Sequence, residues 1–227
     1  MKTRVIIPRM IIMVLFFHFS IDSWADEKSE HDFKRWERSI SEFELKDQKQ
    51  GVQKQGVLFV GSSSIRLWDL EKYFPSQKAI NRGFGGSEIV DSTHFADRII
   101  LNHEPRLIFL YAGDNDLSRD RTAEEVAGDF QKFTEVIHKR LPKTRIVFIA
   151  IKPSLRRWEL ADTIMKANQL ICQRCANHNF LDYADVWNPM LGADCKPRPE
   201  LFKSDGLHLN HEGYLVWTKV VKPYLCQ

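Results

Sequence analysis

The 227-residue sequence has no block of Lys and Arg, no internal repeat and no low-complexity tract. Glycine and proline are sparse, at 11 and 9 residues, and nowhere gather into a linker. About 200 residues without such a break fit one domain with a full-sized core. A long apolar run is also missing. The longest stretch of note, MIIMVLFF at residues 10–17, is too short for a comfortable membrane span and is soon followed by His18 and Asp22. Lys2, Arg4 and Arg9 precede it, and Ser23-Trp24-Ala25 follows it with small residues where a signal peptidase reads. Those are the three regions of a secretory signal in order. The expectation is a signal peptide over residues 1–25, a mature domain over 26–227, export to the periplasm or the medium, and no stable membrane span after cleavage. No cysteine stands at the cleavage position, which argues against a lipid anchor. Removing the segment takes the formal charge from +3 to +1, so the mature chain is nearly neutral and offers no nucleic-acid groove.

Cysteine is scarce as well. Cys172, Cys175, Cys195 and Cys226 permit disulfides in an exported protein, in any of three connectivities that the sequence does not separate. Cys172 and Cys175 form a C-x-x-C with His178 nearby, but no fourth ligand for a zinc ion is evident. No histidine immediately follows Cys175, so the haem-attachment pattern fails.

What is present is a regular alternation. Phe33, Trp36, Ile40 and Phe43 recur at helical spacing and predict an amphipathic helix from His31 to about Gln50. GVLFVG (56–61), KAINRGF (78–84), RLIFLYAG (106–113), TRIVFIAIKP (144–153) and LDYADVW (181–187) read as strands. Helical segments fall between them, at 64–74, 88–103, 122–141 and about 160–176, and a last one closes the chain at 213–225. Strands apolar on both faces that alternate with helices imply a parallel sheet covered on both sides. With right-handed crossovers the result is a three-layer α/β/α sandwich on a five-stranded parallel sheet.

In such sheets ligands bind beyond the carboxyl ends of the strands, so each exit is a place to look for chemistry. The first exit is Gly61-Ser62-Ser63-Ser64, either a plain helix N-cap or a nucleophile on a sharp turn. The second carries Gly83, Gly85 and Gly86, where backbone N–H groups can approach a ligand. The third is Gly113-Asp114-Asn115-Asp116. It resembles the start of a calcium loop with Glu125 at the twelfth position, except that Arg119 replaces the glycine such a loop needs. The fourth leads through Lys152-Pro153-Ser154 to Arg156, Arg157 and Trp158, and beyond the fifth lies Ser204-Asp205-Gly206-Leu207-His208. A serine, a glycine turn, an amide and an Asp/His pair on one edge are the parts acyl transfer requires.

These blocks resemble the SGNH hydrolases of the GDSL esterase/lipase superfamily, from the first strand to the C-terminus. The G-x-N-D and D-x-x-H blocks carry the likeness; the first block is degenerate, with Ser62 replacing the usual aspartate and Ser64 the usual leucine or isoleucine. The resemblance implies a flavodoxin-like SGNH fold with Ser63 as nucleophile and Asp205 and His208 as the orienting carboxylate and the base. Oxyanion donors would be Ser63, Gly86 and Asn115, and neither a metal nor an organic cofactor is needed. Family members span lipases, thioesterases and carbohydrate O-acetylesterases. The implied partner is therefore a small-molecule or glycan ester. Export, with Arg156, Arg157 and Trp158 beside the site, points to a polar ester, and the lack of an obvious long apolar lid points to a short acyl group. The rival expectation is an exported SGNH-like module that binds a glycan or ester without cleaving it.

Overall fold

The computed structural model of the chain describes residues 31–226, so the expected signal segment lies outside the described residues. Five strands form one parallel sheet: β1 (Val57–Gly61), β2 (Ile80–Gly83), β3 (Leu107–Tyr111), β4 (Arg145–Ile149) and β5 (Leu181–Ala184). Their order is β2-β1-β3-β4-β5. The chain therefore steps from β1 to one side and then returns to the other, and the order reverses between β1 and β3. Such a switch point opens a crevice at the carboxyl ends of the two strands.

Helices α1 (Glu37–Gln50), α2 (Ser63–Arg66), α3 (Leu70–Tyr73), α4 (Ile89–His94), α5 (Ala96–Ile99), α6 (Asp114–Leu117), α7 (Ala123–Arg140), α8 (Ala161–Ala176) and α9 (His211–Val221) complete the described fold. Side chains alternate across the sheet with period two. Leu58 and Val60 of β1, Ile108 and Leu110 of β3, and Ile146 and Phe148 of β4 pack under α1, α4, α5, α7 and α8. The intervening Val57, Phe59, Leu107, Phe109, Val147 and Ile149 pack under α2, α3 and α9. Two apolar layers on one sheet make the expected α/β/α sandwich. Local signals set the helices. Thr122 and Glu125 close a capping box at the start of α7, whose Val126, Phe130, Phe133 and Ile137 are all buried.

Two helical stretches are more broken than their periodicity predicts. The segment 64–74 is two short helices, because Asp69 accepts the Lys72 N–H at 3.1 Å and so caps a new helix, α3. The segment 88–103 divides into α4, α5 and a 3-10 turn, Leu101–His103, that ends where Glu104 turns left-handed ahead of Pro105.

Candidate active site

Gly61 ends β1 at φ +132°, with a Cβ built there only 1.9 Å from the Tyr111 carbonyl oxygen. The strand exits of β1, β2 and β3 are drawn together at this point. Ser62 N–H donates to Tyr111 O at 3.0 Å and Phe84 N–H to Gly61 O at 2.9 Å. No side chain fits here, which is why glycine precedes the serines. The chain then turns sharply into α2, and the three serines part company. Ser62 and Ser64 are each 1% exposed. The Ser62 hydroxyl caps no helix amide among the described residues. Ser64 is pinned by Tyr214, whose Oη donates to its carbonyl at 2.8 Å. Ser63, half-buried at the first helical position, lies 3.0 Å through Oγ from His208 Nε2.

His208 is supplied by a tight loop that builds itself around Asp205. Asp205 Oδ1 accepts the N–H groups of Leu207 and His208, each at 2.9 Å, while Oδ2 lies 2.6 Å from His208 Nδ1. Lys203 N–H donates to His208 O at 2.8 Å and closes the loop. The bond from His208 outweighs the opposing effect of burial, and with the two backbone N–H groups it holds Asp205 well below the usual carboxylate range. An anionic Asp205 fixes the Nδ1–H tautomer and leaves Nε2 as the acceptor for the Ser63 proton. The His208 and Asp205 side chains are 26% and 39% exposed, so the site opens to water.

The other expected donors stand at neighbouring exits. Asn115 lies in α6, immediately after β3, and its Nδ2 donates to Ser87 O at 2.9 Å. Ser87 follows Gly86, which has φ +77° and faces the Trp36 ring, whose nearest carbon is 3.3 Å from a Cβ built there. The Asn115 amide and the glycine turn are thus joined, and both flank the sheet's switch point with Ser63. Asp116 secures the same turn, because its Oδ1 accepts the Ile89 N–H at 3.0 Å.

The three residues beyond β4 separate. Arg157 turns inward: its guanidinium donates to Asn115 Oδ1 at 3.0 Å and pairs with Asp114 Oδ2 at 3.1 Å. Trp158 stacks on Trp187 with centroids 6.0 Å apart and packs against the core. Arg156 is exposed, and its backbone N–H ties this loop to Gly206 O at 3.0 Å. Lys152 at this exit and Tyr111 in β3 have no role that the sequence alone assigns. Lys152 is 2% exposed and reaches Asp114 Oδ2 at 3.1 Å and Tyr111 Oη at 3.0 Å. The signal for it was a lone lysine at the end of an otherwise apolar strand.

Asp114 and Asp116 therefore serve the protein's own cations and amides, and no metal-binding cluster of three His, Cys, Asp or Glu occurs among the described residues. All four cysteines are unbonded. Burial pushes the Cys175 thiol up to about 12, the behaviour of a packing residue.

The profile of the GDSL-like Lipase/Acylhydrolase family matches residues 66–216, beginning just past the serine triplet. Platelet-activating factor acetylhydrolase IB subunit alpha2 of Homo sapiens is 31% identical over 183 residues, which cover 74% of this chain and 73% of that protein. Among solved structures, a provisional platelet activating factor from Streptococcus pneumonia superposes with TM-score 0.76 at 23% identity, over 85% of this chain and 93% of that one. A carbohydrate esterase family 3 protein from Talaromyces cellulolyticus gives TM-score 0.62 at 18% identity, over 76% and 96%. At such identities the two structures speak for the fold alone.

Proposed function

The chain belongs to the GDSL-like lipase/acylhydrolase family, and from that premise we propose an exported serine esterase that cleaves acyl esters through an acyl-enzyme, with Ser63 as nucleophile. The observation that carries the reading is the continuous line from Asp205 Oδ2 through His208 to Ser63 Oγ, with contacts of 2.6 and 3.0 Å. His208 Nε2 takes the hydroxyl proton as Oγ attacks the ester carbonyl carbon. The carbonyl oxygen becomes an oxyanion and is met by N–H groups of Ser63, Gly86 and Asn115. Collapse breaks the bond to the alcohol oxygen, which receives the proton from His208. Water then enters and gives a proton to His208 as its oxygen attacks the acyl carbon; collapse breaks the bond to Ser63 Oγ, which takes the proton back from His208, and the acid leaves.

Short acyl and carbohydrate O-acetyl esters are the substrates we favour. The human relative is named as an acetylhydrolase. An open site on a polar loop edge supports the same choice. Export rests on the N-terminal charge and apolar pattern.

The test is turnover of p-nitrophenyl acetate, then of a series of acyl lengths and acetylated sugars. Ser63→Ala is expected to abolish turnover at an unchanged melting temperature. A fluorophosphonate probe is expected to label Ser63 and to go on labelling Ser62→Ala and Ser64→Ala proteins. An adduct mapped to Ser64 overturns the nucleophile, and a folded protein that binds acetylated glycans without cleaving them is the non-catalytic module instead.

A further inference from the structure

Asn115 is held at both ends of its amide. Its Oδ1 accepts from Arg157 at 3.0 Å and its Nδ2 donates to Ser87 O at 2.9 Å. One N–H remains for an oxyanion. Ser87 O favours the N–H end of the amide on its side, and Arg157 adds the restraint on the oxygen side; a flipped amide would present oxygen both to Ser87 O and to a developing negative charge. Arg157 is held in turn by Asp114, which lies next to Asn115 in α6 and also receives Lys152, each cation at 3.1 Å from the same Oδ2. Lys152 reaches Tyr111 Oη as well. Tyr111, Lys152, Asp114 and Asn115 are 0, 2, 5 and 8% exposed, so this chain of contacts runs through the protein interior. Lys152 and Arg157 thus share one carboxylate directly behind Asn115.

Such a group is a poor stability device. Taking ions out of water is costly, and well-packed apolar residues commonly replace them without loss. A position in contact with the amide that receives the oxyanion gives the network a different use. We propose that Arg157 is a positioning residue, braced by Asp114 and Lys152, that fixes the Asn115 amide in its donating orientation and polarises its free N–H. The inference rests on the esterase reading above. It also removes Arg157 from the substrate-contacting set that its place beyond β4 suggested. A guanidinium on the carbonyl end of an amide makes the N–H end a stronger donor, and low local polarity magnifies the effect. An interaction felt mainly in the transition state appears in kcat and hardly in KM.

The experiment is a double-mutant cycle on p-nitrophenyl acetate, with Arg157→Met, Asn115→Ala and both together. Arg157→Met is expected to lower kcat by about 10- to 100-fold, somewhat less than loss of an oxyanion donor itself, with KM within about twofold of the wild type. On the Asn115→Ala background the same change should have almost no further effect. Inhibition by a trifluoromethyl ketone, whose adduct on Ser63 mimics the oxyanion, should weaken by the same factor as kcat falls. Arg157→Lys keeps the charge without the forked donors and should recover part of the loss. Asp114→Asn keeps the shape but frees Arg157, so it should share the kcat-selective defect; should it fail to fold, the arginine cycle still decides. Losses that multiply in the double variant overturn the proposal, as does a rise in KM at normal kcat, which would make Arg157 a substrate contact. Ser63-dependent turnover with normal kcat in Arg157→Met sinks this inference alone. A wild type with no Ser63-dependent turnover sinks the esterase reading and this inference with it.

Discussion

Two neighbouring residues in α6 divide catalysis from pH-dependent stability. Asn115→Ala deletes an amide that reaches Ser87 O and, on the proposed mechanism, the oxyanion. The expected loss is about 100- to 1,000-fold in kcat, roughly 3–4 kcal/mol, with KM little changed and slow probe labelling at Ser63 retained. Were the amide a turn-former only, the melting temperature would fall while folded enzyme kept its kcat, so both are measured on one preparation. Asp116 differs. Burial, aided by the nearby Glu88 and Asp114 carboxylates and opposed by the Ile89 N–H, pushes its carboxyl up to about 7 from 3.8. A raised carboxyl pKa means that the folded state keeps a proton the unfolded chain releases. Its contribution to stability is therefore whole below about pH 4 and declines by about 1.4 kcal/mol per pH unit up to about pH 7. Asp116→Asn can keep the bond to Ile89 N–H without the proton. Relative to wild type, its unfolding free energy in urea should rise steadily with pH through that window, and a constant difference would refute the assignment.

At the scale of elements, α1 is fastened to the sheet by charge as well as by Ile40. Arg82 of β2, 1% exposed, pairs with Asp47 of α1, lies 2.9 Å from His103 Nε2 and sits 5.1 Å from the centroid of Phe43. His103 also contacts Asp47 Oδ2 at 3.2 Å, while burial lowers the pKa of its ring below the usual value, so it is no substitute cation. Asp47→Ala strands a buried guanidinium with no anion beside it. The expected cost is about 3–5 kcal/mol by urea unfolding. Asp47→Ala combined with Arg82→Met should recover most of it, since removing both partners restores an apolar contact. A double variant as unstable as the single would show that packing, not charge, sets the cost.

At the scale of the whole molecule, two measurements bear on the start of the mature chain and on its thiols. The native N-terminus is expected near Asp26, and a native protein that still contains residues 10–17 would make that segment an anchor. The four cysteines are unbonded in the structure, with Cys172 and Cys175 one turn apart on α8 and Cys175 packed into the core. Denatured protein prepared without reductant should titrate four thiols, and the melting temperature should not respond to reductant. A titre of two or fewer would show an oxidised pair.

The layered architecture is legible in the amino-acid order, because the signals for it are local. Continuous apolar runs such as LFV and IVFI must bury both faces, and a pattern like Val126, Phe130, Phe133 and Ile137 needs no partner to be recognised. The amino-acid order also determined the Asp205–His208 unit, whose contacts close within one four-residue loop. The family resemblance pointed to Ser63 among three adjacent serines, and only the fold brings its hydroxyl to His208 across 145 residues of chain. That contact depends on how sharply the backbone turns after Gly61, and the turn is set by β3 and β2 crowding against it. The same is true of Arg157 and Lys152. Their places in the sequence suggested a substrate contact and a strand end, yet both converge on Asp114 from a neighbouring exit. Strand order and register bring such groups together, and no local periodicity encodes either one.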